Sequence, residues 1–93
     1  MLPKYKLTRV STSAALAAVG AHVFGILLMG GSAASSLKLT SDGNGAGTAV
    51  INVNAVIGST AFVDFTPFGG IAFSTALYAT LAGTGAEAYV WWE

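Results

Sequence analysis

The chain has no cysteine, a single histidine, two prolines and few charges, and each shortage removes a class of function. Without cysteine there is no disulfide frame, no thiolate zinc site and no cysteine nucleophile. A catalytic imidazole needs a nucleophile to serve or a carboxylate to orient it, and a metal site needs several ligands. Asp42, Asp64, Glu87 and Glu93 are too dispersed to partner His22. His22 therefore reads as a hydrogen-bonded histidine on a half-buried strand. No catalytic, cofactor or metal constellation is expected, and the chain reads as non-enzymatic.

Charged residues make up 9% of the sequence and hydrophobic residues 54%, where ordinary domains carry about 25% charge. A chain of 93 residues forms one domain and buries only roughly 60–65% of the surface it exposes when unfolded. An apolar excess of this size needs cover from lipid or from other subunits. Net charge is zero, so there is no overall basic field for nucleic acid. Lys4, Lys6 and Arg9 nonetheless cluster at the start, where MLPKYKLTR shows neither strong period nor turn chemistry. Residues 1–13 read as a basic N-terminal arm, either frayed or ordered on an acidic partner through Lys4, Tyr5, Lys6 and Arg9.

The longest apolar run is SAALAAVGAHVFGILLMGG. With the basic start and GGSAASS it imitates a secretory signal peptide. A membrane-spanning helix needs about 20 apolar residues, and Ala14 to Met29 falls short unless Ser and Gly are added. Gly20 and Gly25 weaken a helix, while Val19, Val23, Phe24 and Ile26 suit a pleated strand.

The sequence after residue 36 decides between them. LKLT alternates, and SDGNGAG offers Asp-Gly and Asn-Gly hairpin steps. TAVINVNAV sets Ile51, Val53 and Ala55 opposite Asn52 and Asn54; AFVDF sets Ala61, Val63 and Phe65 opposite Phe62 and Asp64. TPFGG breaks the pattern at Pro67. IAFSTALYATLA resumes it as one segment, and AEAYVWWE closes with Ala86, Ala88, Val90 and Trp92 facing away from Glu87, Tyr89 and Trp91. Period two over short turns predicts an all-β fold, an antiparallel β-sandwich or jelly-roll-like domain of six or seven strands over residues 14–93. Such a fold needs a second sheet to cover the first, and the stretch from about Ala18 to Met29 can supply a strand buried on both faces.

GNGAG lacks the Lys and Ser/Thr of a phosphate loop, and DGNG lacks the spaced acids of a calcium loop, so a hairpin tip is expected. Tyr89 and Trp91, on the face opposite Trp92, carry two readings: stacking on a sugar ring, as in a carbohydrate-binding module, or burial against a neighbouring subunit. The scarcity of charge favours subunit burial.

From DFTPFGGIAFSTALYATLAGTGAEAYVWW, the residues Phe65, Pro67, Gly70, Ile71, Phe73, Ser74, Leu77, Tyr78, Leu81 and Gly83 form a pattern that resembles small tail- and head-associated structural proteins of bacteriophages. VFGILLMGGSAASSLKLTSD is similar to their opening hairpin. The resemblance spans roughly residues 19–92 and carries turn and packing residues, with no functional residue. It implies a β-sandwich built into a virion, often at the capsid surface as a decoration or cement subunit. The implied partners are the major capsid protein or other virion subunits, and a homo-oligomer is expected; the zero net charge and the short apolar run point away from nucleic acid and membrane. A tail, fibre or head-to-tail component, a membrane-spanning small coat protein and a carbohydrate-binding module are the alternatives.

Overall fold

A computed structural model describes residues 6–93. Nine strands form: β1 (Lys6–Val10), β2 (Ala14–Ala17), β3 (Ala21–Met29), β4 (Ser35–Thr40), β5 (Ala49–Ala55), β6 (Thr60–Asp64), β7 (Ile71–Phe73), β8 (Leu77–Ala82) and β9 (Glu87–Trp92). A 3₁₀ turn, Thr66–Phe68, lies between β6 and β7. All strand pairs are antiparallel. The first sheet has the order β1-β9-β3-β6, with β7 continuing beside β3 where β6 leaves off; the second has the order β2-β8-β4-β5. The chain changes sheet at every connection except β4–β5 and β6–β7. The fold is an antiparallel two-sheet sandwich.

Alternation places the core. Val10, Val23, Ile26, Leu28, Ala88 and Val90 from the first sheet meet Leu37, Leu39, Ile51, Val53, Leu77 and Ala79 from the second, all buried. This apolar layer supplies the main driving force, at about 25 cal/mol per Å² removed from water. Inter-sheet connections must pass close to one another, and small residues allow it. A Cβ on Gly31 would collide with the backbone at Thr84 and Gly85, so the β3–β4 and β8–β9 turns can touch only through glycine. Ser32 N–H then donates to Thr84 O at 2.9 Å across that contact.

Nine strands among the described residues replace the six or seven expected: two of the additional ones come from the N-terminal segment and another from the division of IAFSTALYATLA. Residues 6–10, expected within the basic arm, form β1 along the free side of β9, from Lys6 opposite Trp92 to Val10 opposite Ala88. An edge strand needs only one ladder and one inward residue, and Val10 fills that role at 2% exposure. Ala14–Ala17 is a separate short strand of the second sheet, pairing β8. The apolar run is thus divided between the sheets: β3 starts at Ala21, after Ala18–Gly20 has crossed. Nor is β3 buried on both faces, because His22 is exposed and Phe24, Leu27 and Met29 are half-buried. IAFSTALYATLA is likewise two strands, β7 and β8, in different sheets. Periodicity is local and registers no change of sheet.

Candidate docking face

The site is built from the outward residues of the first sheet. Register aligns Leu7, Trp91, Gly25 and Asp64 in one row across β1, β9, β3 and β6, and Arg9, Tyr89, Leu27 and Phe62 in the next. Glu87, Met29 and Thr60 make a third row. Leu7 is 55% exposed and Phe62 61% exposed, while Leu27, Met29, Tyr89 and Trp91 are half-buried. Six large apolar or aromatic side chains therefore share a solvent-facing surface. Its one ion pair among the described residues, Arg9 with Glu87, lies diagonally across the β1–β9 ladder with both side chains substantially exposed.

A local irregularity makes the surface concave. Val23 faces Trp92 and Gly25 faces Trp91, so Phe24 is an extra residue of β3 against β9, a β-bulge. Phe24 C=O accepts from Phe65 N–H at 2.8 Å, tying the bulge to the residues after β6. The Phe24 ring lies on Gly70, whose φ of 87° is left-handed and whose missing Cβ would stand 2.8 Å from Phe24 Cε1. Beside the bulge, Gly25 leaves a floor on which the Trp91 ring rests; a Cβ there would be 3.5 Å from Cε3. Phe62 meets Trp91 edge to face, with centroids 6.1 Å apart at 89°. The result is a cleft of about 270 Å³ lined by Phe24, Gly25, Phe62, Asp64, Thr66 and Trp91.

Asp64 is the charged group of this cleft. Its Oδ1 accepts from Thr66 N–H at 2.9 Å and from Thr66 Oγ1–H at 2.7 Å. These two bonds, the backbone one foremost, hold its carboxyl below the usual carboxylate value against a smaller opposing effect of burial. Asp64 is thus ionised at neutral pH.

The other residues singled out from sequence are scattered. Tyr89 and Trp91 share the outer face as alternation indicated. Arg9 lies on the same face, engaged by Glu87. Lys6 extends instead over the Trp92 ring, Nζ 4.6 Å from its centroid, and Trp92 Nε1–H donates to Thr8 Oγ1 at 3.0 Å. Lys4 and Tyr5 lie outside the described residues. The His22 ring is exposed rather than half-buried and stacks near Phe24, with centroids 6.4 Å apart. Among the described residues no group of His, Asp and Glu could hold a metal ion, and no helix is long and apolar enough to cross a membrane.

The glycine-rich loop is a hairpin tip organised by Asp42. Its carboxylate accepts from Gly45 N–H and Gly47 N–H, each at 2.6 Å, from Asn44 N–H at 3.3 Å and from Thr40 Oγ1–H at 2.9 Å. Burial pushes this carboxyl up, but the four bonds together outweigh it and hold the group low. With its acceptors spent internally, Asp42 serves the turn.

Leu7, Phe24, Gly25, Leu27 and Met29 are the face's unforeseen members. Alternation placed Phe62 outward, but its meeting with Trp91 depends on β6 and β9 flanking the same strand, which no local pattern encodes. Comparison with known proteins gives no match: no family model, no curated protein and no solved structure matches the chain.

Proposed function

We propose that the chain is a non-enzymatic structural subunit of a phage virion that docks through the outer face of its first sheet, as a capsid decoration protein on the shell surface. What supports a docking role is that face itself: Leu7, Leu27, Met29, Phe62, Tyr89 and Trp91 lie together around one ion pair. Contiguous apolar surface rimmed by polar groups marks an interaction site, and aromatic residues are enriched at interface cores. The virion setting is supported by the resemblance carried by Phe65, Pro67, Gly70, Ile71, Phe73, Ser74, Leu77, Tyr78, Leu81 and Gly83.

The mechanism is additive burial. Each copy lays its outer face over apolar surface at the joints between shell subunits and opposes their separation. At about 25 cal/mol per Å², a few hundred Å² per copy becomes large when repeated over a shell. Such a role needs no catalytic group or cofactor. It predicts that particles lacking the protein still assemble but open at lower temperature or under milder osmotic shock. Particles of unchanged stability would contradict it. Counting copies per particle separates a decoration subunit, present in many copies, from a tail, fibre or head-to-tail component, present in few.

A further inference from the structure

We propose that the cleft over Gly25 receives an arginine side chain from the docking partner. This deepens the docking role above and rests on it. The cleft, at about 270 Å³, has room for one long side chain. Phe24, Phe62 and Trp91 line it, and the rings of the last two stand perpendicular, at 89°, forming a corner of π surfaces. Such surfaces attract cations held over them.

The polar edge points to the same chemistry. Thr66 spends both its N–H and its hydroxyl proton on Asp64 Oδ1, and no bond to Oδ2 is made among the described residues. The Asp64–Thr66 edge therefore presents acceptors, which suits a ligand made only of donors. A sugar hydroxyl would meet that edge through its single O–H and leave its own lone pairs to water. Guanidinium carries five N–H donors and no acceptor, is planar, and stacks on aromatic rings while bonding a carboxylate. Asp64 has no ion-pair partner among the described residues, and the Arg9–Glu87 pair is neutral, so the face lacks one positive charge. Among the described residues nothing supplies it: Arg9, the chain's single arginine, lies on the opposite edge strand β1 and is held by Glu87 of β9, and Lys6 lies over the Trp92 ring. The arginine therefore belongs to the partner.

The test is a titration of the ¹⁵N-labelled full chain with the peptide Ac-Ala-Arg-Ala-NH₂, its neutral citrulline counterpart and its lysine counterpart, with methyl glycosides alongside. Signals of the Trp91 indole, assigned through Trp91→Phe, and of the Gly25 amide should shift with the arginine peptide, while the Trp92 indole stays in place. The citrulline peptide should bind at least roughly fivefold more weakly, the loss expected for a cation over aromatic rings. The lysine peptide should also be weaker, since ammonium cannot stack. Asp64→Asn, whose amide oxygen can still accept from Thr66, should lose a similar factor with the rest of the spectrum unchanged, and Phe62→Ala should weaken binding too. Equal binding of the citrulline or lysine peptide, wild-type binding by Asp64→Asn, no shift at all, or a glycoside shifting the same signals in place of the peptide would each overturn the assignment. Because the titration uses the isolated chain, its failure is distinguishable from failure of the docking role, which is read from particle stability.

Discussion

The two outer faces of the sandwich are made of the same kind of strand and present different surfaces. The first sheet turns Leu7, Leu27, Met29, Phe62, Tyr89 and Trp91 outward. The second turns out Ser36, Lys38, Asn52, Asn54, Tyr78 and Thr80, with Val50 the exposed large aliphatic side chain among them. Both sheets pack inward on one apolar layer, so the interior does not account for the difference. A sandwich solvated on both sides would carry polar alternation on both. The second sheet obeys that rule, and the first breaks it along neighbouring strands, the pattern of a surface meant to be covered.

The largest effect that sharpens this contrast separates two adjacent residues of β3. Leu28 is fully buried and Leu27 faces outward. Leu28→Ala should cost about 2–5 kcal/mol in denaturant unfolding of the isolated subunit. Leu27→Ala should stay within about 1 kcal/mol. Equal costs would mean that the outer face already acts as a core in the free chain.

Attachment should show the reverse order. Trp91→Ala, which empties the centre of the outer face, should weaken binding to particles by about 30-fold, the scale of an interface hot spot. Tyr78→Ala, on the second sheet, should change it less than about twofold. A pull-down of labelled subunit on stripped particles reads both, and similar losses would remove the distinction between the faces.

Smaller still is the Arg9–Glu87 pair. Its side chains are 53% and 37% exposed, and an exposed pair of this kind contributes at most about 1 kcal/mol. Glu87→Gln should lower stability slightly at low salt and not at all at high salt, measured by thermal unfolding at two ionic strengths.

The least effect is acidic. Asp42 and Asp64 have folded-state values held below the usual 3.8. Their contribution is thus present above the unfolded value and lost as pH falls through the lower folded value. Amide exchange at Gly45, Gly47 and Thr66 should therefore lose protection below about pH 4, with the core strands unaffected at first. Protection that shows no decline at all once both carboxyls are protonated would show that they do not hold their turns.

Much of this contrast was readable from one dimension. The alternation of Ile51, Val53 and Ala55 against Asn52 and Asn54 placed β5, and Asp42 with its glycines marked the hairpin. Tyr89 and Trp91 were outward by the same logic. What stayed hidden required knowing which strands are neighbours. β1 is five residues supported by a single ladder, so its sequence KLTRV resembles a charged tail as much as an edge strand. The bulge at Phe24 shifts the phase of β3, and alternation carried straight through from Ala21 would have turned Leu27 to the core and Leu28 outward, the reverse of what forms. The cleft draws on β3, β6, β9 and the turn after β6, which meet only through pairing across the sheet.

In the proposed assembly the first sheet's outer face is covered and the second sheet's is not. Hydroxyl-radical footprinting of the chain, alone and in purified particles, tests it directly, because both faces carry reactive side chains. Met29, Phe62, Tyr89 and Trp91 should lose reactivity on assembly, while Tyr78 keeps it. Protection of Tyr78 with Trp91 and Phe62 still reactive would contradict the account.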